Sequence, residues 1–75
     1  MFVNKKVLVT GGAGMIGRQL VDLLVEKGAE VTIADLNEPI DLPKGVNYIK
    51  SNLLYFEDCE FACRDIDYVF NLVGI

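Results

Sequence analysis

Apolar positions along the chain follow two rhythms. Lys5-Lys6-Val7-Leu8-Val9-Thr10 contains an unbroken β-branched and aliphatic run, the pattern of a strand covered on both faces, and this favours parallel pairing. After a cluster of glycines, Ile16, Leu20, Leu23, Leu24 and Lys27 keep helical spacing, Val21 and Val25 widen the apolar face, and Gly28 stands where a helix stops. Strand character returns at Glu30-Val31-Thr32-Ile33-Ala34-Asp35. Joining two strands through one helix in about 30 residues is the spacing of a right-handed βαβ crossover.

Residues 36 to 45, "LNEPIDLPKG", carry Pro39, Pro43 and Gly45 and read as a connection. Val46-Asn47-Tyr48-Ile49-Lys50 predicts a short third strand, Phe56 to Arg64 a short helix burying Phe56, Cys59, Ala62 and Cys63, and Tyr68 to Val73 a fourth strand. Wound in the usual hand, these strands take the order 3-2-1-4 with helices packed on a parallel sheet. That is an α/β, partial Rossmann fold, half of a doubly wound sheet plus the strand across its switch point. Residues 1–75 make one unit with no second-domain boundary. Strand 68–73 is then an apolar, almost uncharged edge, and self-association into a homo-oligomer through it is expected.

Composition narrows the function classes. The chain is 52% hydrophobic with mean hydropathy +0.35, which argues against disorder, and its apolar runs fall short of the roughly 20 residues that span a bilayer. No secretory pattern follows Met1, so a cytoplasmic location is expected. Seven basic residues are scattered among eleven acidic ones, giving net charge −4 without a basic stripe, so neither nucleic acid nor a membrane surface is expected as partner. Two cysteines and no histidine cannot assemble an ordinary zinc site, and buried free thiols are the expected state of Cys59 and Cys63.

The chemistry is concentrated in "VLVTGGAGMIGRQL". Gly12-Ala13-Gly14-Met15-Ile16-Gly17 is a literal G-x-G-x-x-G, and a second register uses glycines 11, 14 and 17. In both, one glycine turns the chain off the strand, Gly14 lets the backbone approach a pyrophosphate, and Gly17 packs the helix on the sheet. Free amides at the helix start face the phosphates. Asp35, 18 residues beyond Gly17 at the end of the next strand, answers the loop as acceptor for the adenosine ribose hydroxyls. A carboxylate there repels a 2′-phosphate, and neither Leu36 nor Asn37 supplies a cation, so NAD is favoured over NADP. Arg18, in the first helical turn, keeps NADP open. A glycine turn without a ligand and a solvated strand-end acid are the alternatives.

"TGGAGMIG", "RQLVDLLVEKG", "VTIADL" and "DYVFNLVGI" together resemble the extended short-chain dehydrogenases/reductases, in particular the NAD-dependent epimerase/dehydratase group acting on nucleotide sugars. The resemblance runs through all 75 residues but covers about the first quarter of such an enzyme. It implies a cofactor site of Gly11, Gly14, Met15, Ile16, Gly17, Asp35 and Asn37, with Asn52 and Leu53 where the family has an Asp-Leu pair beside the adenine. Leu72 and Val73 stand where the family lines the nicotinamide side with leucine and alanine.

Catalysis in the family uses a Ser/Thr and a Tyr-x-x-x-Lys pair. Here Tyr48, Tyr55 and Tyr68 are followed four positions on by Asn52, Cys59 and Leu72, and the lone serine, Ser51, aligns beside the adenine. No catalytic residue is assigned. The expectation is an N-terminal, NAD-binding fragment of an epimerase or dehydratase, inactive alone; the alternative is a stand-alone, non-catalytic dinucleotide-binding or dimerisation module.

Overall fold

The computed structural model describes residues 2–11, 13–51 and 64–72. Its elements are β1 (Lys6–Thr10), α1 (Met15–Glu26), β2 (Glu30–Asp35), β3 (Asn47–Lys50) and β4 (Tyr68–Asn71). All pairings are parallel and the strand order is β3-β2-β1-β4, the expected one. The expected helix over 56–64 lies outside the described residues except for Arg64, as do Cys59 and Cys63.

Val7, Leu8 and Val9 are wholly buried, as a strand with both faces covered requires. Val7 and Val9 join Val21 and Leu24 of α1, Val31 and Ile33 of β2, and Val46 in one core, while Leu8 packs with Ala34 and Ile66 in a separate cluster.

The helix departs from its expected face. Its buried residues are Gly17, Val21 and Leu24, with Leu20 packed against the core, a stripe at i, i+3, i+4 and i+7. Ile16, Leu23 and Val25 are exposed instead. The stripe passes through Gly17, which has no side chain to mark it in a hydrophobic pattern. The C-terminus closes as expected at Gly28, whose φ of 86° is left-handed. Gly28 N–H donates to the Val25 carbonyl at 3.0 Å and Ala29 N–H to that of Leu24 at 3.1 Å, the two bonds of a Schellman motif.

The third strand begins one residue later than expected. Val46 N–H donates to the Pro43 carbonyl at 3.1 Å, so Val46 closes the preceding turn while its side chain enters the core. The fourth strand ends at Asn71, although Leu72 N–H still donates to the Thr10 carbonyl at 2.9 Å. Sheet order leaves β4 at an edge, where Tyr68 and Val69 are exposed. Phe2 leans on it, its ring 5.4 Å from that of Tyr68 in a T-shaped contact. Because every strand runs the same way, Thr10, Asp35, Lys50 and Asn71 reach one end of the sheet together.

Candidate functional site

At that end, β1 gives way to the glycine loop. Gly11 has φ of 74°, a left-handed conformation that suits glycine, and its N–H donates to the Ala34 carbonyl at 2.9 Å, so the chain turns while still tied to β2. Gly14 is the N-cap of α1, with φ −80° and ψ 178°. That is extended backbone open to any residue, and a Cβ built there meets no heavy atom within 4 Å. Neither conformation nor packing requires glycine at 14, so the missing side chain leaves room beside the helix start.

The helix start is electropositive. Its N-cap carries no side-chain hydrogen bond and its first turn has no acidic residue, so nothing within the helix itself offsets the positive end of its dipole. Gly11, Gly14, Met15, Ile16 and Gly17 line a groove of about 360 Å³ together with Leu72, which follows β4. Six of the expected cofactor residues thus share one groove, at the point where β1 parts from its two neighbours. Met15 and Ile16, unexplained as core, are 81% and 58% exposed at its rim. The residues present fit a diphosphate: backbone amides, open space and positive potential converge there.

Asp35 is positioned from both sides. Its Oδ2 accepts from Ala13 N–H at 3.2 Å, and its Oδ1 accepts from Asn37 N–H at 3.0 Å, a turn in which the side chain mimics backbone. The carboxylate therefore touches the glycine loop, and Asn37 meets it through its main chain. Among the described residues no cation pairs with Asp35; the ion pairs there belong to Arg18, with Asp22 and Asp41. Asn52, Leu53, Val73 and Gly12 lie outside the described residues.

Several supporting residues carry no motif. Thr10 Oγ1 donates to Asn71 Oδ1 at 2.7 Å, clamping the ends of β1 and β4 under the groove. Ser51, just beyond β3, donates its N–H to the Asp35 carbonyl at 3.0 Å, and Tyr48 donates its hydroxyl to the same oxygen at 3.0 Å. Parallel register is the signal that would have found them, since it brings Asp35 opposite Lys50.

Burial, then the charges of Asp35 and Glu38, raise the Tyr48 hydroxyl above its ordinary value. The neutral phenol is favoured in the folded state, so its contribution is complete below about pH 10 and is lost as pH rises through the folded-state value, because the unfolded chain gives up its proton first. Urea unfolding between neutral pH and roughly pH 11 should show an alkaline loss of stability that is smaller in Tyr48→Phe. Equal losses in the two proteins would rule the tyrosine out.

A profile described as the NAD dependent epimerase/dehydratase family matches residues 7–75. The chain belongs to that family. It is 35% identical over 69 residues to short-chain dehydrogenase/reductase family 42E member 1 of mouse, covering 91% of this chain and 18% of the relative. Among solved structures, epimerase Mth375 of Methanothermobacter thermautotrophicus superposes with TM-score 0.85 at 32% identity, over 99% of this chain and 24% of that one. A short-chain dehydrogenase of Leptospira borgpetersenii with bound NAD⁺ gives TM-score 0.84 at 25% identity, over 99% and 33%. The chain therefore spans about a fifth to a third of the length of these family members. No described helix is long and apolar enough to cross a membrane.

Proposed function

We propose that this chain is the NAD-binding N-terminal part of a cytoplasmic epimerase or dehydratase acting on a nucleotide sugar. Gly11, Gly14, Met15, Ile16 and Gly17 hold the pyrophosphate, Asp35 and Asn37 the adenosine ribose, Asn52 and Leu53 the adenine, and Leu72 and Val73 the nicotinamide side. When bound, the dinucleotide supplies a reversible acceptor of hydride; this chain's residues bind and orient it. The observation that carries the reading is Gly14, a glycine that neither backbone nor packing requires, at an uncapped helix start beside a groove. The Asp35 carboxylate favours NAD, since a 2′-phosphate would bring like charge against it.

Calorimetric titration tests this directly. NAD should give a saturable heat, and NADP should bind about tenfold more weakly, the equivalent of about 1.4 kcal/mol. Absence of heat with both dinucleotides would overturn the assignment.

The exposed Tyr68 and Val69 on β4 favour a second reading, a non-catalytic module that dimerises through this edge. Gel filtration of the titrated sample separates the two. A stable dimer that binds NAD supports the module, whereas a monomer that binds NAD supports the enzyme part.

A further inference from the structure

Arg18 occupies the first turn of α1 and its side chain is 40% exposed. Its Nε donates to Asp22 Oδ1 at 3.0 Å, its Nη1 donates to the Asp41 carbonyl at 2.5 Å, and the Asp41 carboxylate stands 3.8 Å away. Arg18 thereby ties α1 to the connection between β2 and β3. With Ala13, Gly14 and Met15 it lines a cleft of about 170 Å³ whose other wall includes Pro39, Ile40 and Asp41. Ala13 is also the residue whose N–H reaches the Asp35 carboxylate. Cation and acid thus both border Ala13 of the glycine loop.

We infer that Asp22 is a specificity-determining residue: with the main-chain carbonyl of Asp41 it commits Arg18 to α1 and the β2–β3 connection and so denies a guanidinium to a phosphate ester on the adenosine ribose. This rests on the proposed dinucleotide site. A guanidinium is the side chain best shaped to grip a phosphate, with five donors in a rigid fork. Here Nε and Nη1 are already engaged, so turning toward a 2′-phosphate means breaking both contacts. Asp35 repels that phosphate; the Asp22 carboxylate and the Asp41 carbonyl withhold the residue that would offset the repulsion. The contacts are exposed, so the effect of releasing them is modest.

The test compares the wild-type chain, the variant Asp22→Ala, and the same variant carrying Arg18→Gln, each titrated calorimetrically with NAD and NADP. Asp22→Ala should raise the affinity for NADP relative to NAD about threefold, a change suited to loss of one exposed ion pair. Adding Arg18→Gln should return the ratio to that of the wild type. Because each protein serves as its own reference through the ratio, a general loss of stability does not mimic the effect; Asp22→Asn, which keeps an acceptor but loses the charge, supplies a milder variant with a smaller rise expected. An unchanged ratio with NAD binding intact overturns this inference and leaves the proposed function standing. A gain that survives Arg18→Gln also overturns it, since simple removal of negative charge would then be the cause. Failure of the wild type to bind NAD overturns both.

Discussion

Gly14→Val should weaken NAD binding at least about a hundredfold, a loss of about 2.7 kcal/mol, while the fold survives. The backbone at this position, φ −80° and ψ 178°, is one that valine adopts readily, and the first atom of its side chain would meet nothing within 4 Å. The expected cost to stability is the weaker N-cap, about 1 kcal/mol. Both branches of the side chain would nonetheless stand at the helix start, where the amides must come within hydrogen-bond distance of a diphosphate. Calorimetry against NAD gives the first quantity and urea unfolding the second. Undiminished affinity in a folded variant would show that no ligand approaches Gly14, and the proposed site would lose its main support.

Ile33→Ala should cost about 3 kcal/mol of folding stability. Ile33 is wholly buried, in β2, and packs in the cluster that includes Val9, Val21 and Leu24. Truncation removes buried hydrocarbon and leaves a cavity between sheet and helix that the parallel ladder on both sides of β2 prevents from collapsing. For a chain of 75 residues, with a total stability of roughly 5 kcal/mol, more than half would be lost. Urea denaturation followed by circular dichroism should place the midpoint at less than half of the wild-type concentration. A loss below about 1 kcal/mol would mean that the core described around Ile33 does not form.

The parts of the architecture written in side-chain chemistry were readable beforehand. Val7 to Val9 could be recognised as a doubly covered strand because no polar residue interrupts them, and Gly28 as a helix stop because its left-handed backbone suits glycine. The spacing from Gly17 to Asp35 located the loop and its acid on adjoining strands. What was misread depends on absent side chains. Hydrophobic periodicity counted Ile16 and Leu23 into the buried face, whereas the contact stripe runs through Gly17, which contributes nothing to such a pattern. Val46 reads as strand by its β-branched side chain, yet its amide belongs to a turn closed by Pro43. The contacts around Asp35 were equally hidden. Ala13 and Ser51 meet it through main-chain atoms, which no residue identity announces, and Tyr48 reaches it through register with β2.

The clamp between Thr10 and Asn71 also bears on how the protein is made. Sixty-one positions separate these two residues, yet β1, to which Thr10 belongs, lies at the interior of the sheet. During synthesis the first strand can pair with β2 early, but its other side has no partner until β4, which follows β3 in the chain, has also left the ribosome. Closing so long a loop is entropically slow. The nascent chain therefore passes through a stage in which its most apolar strand is half-covered, and dependence on chaperones should be greatest there.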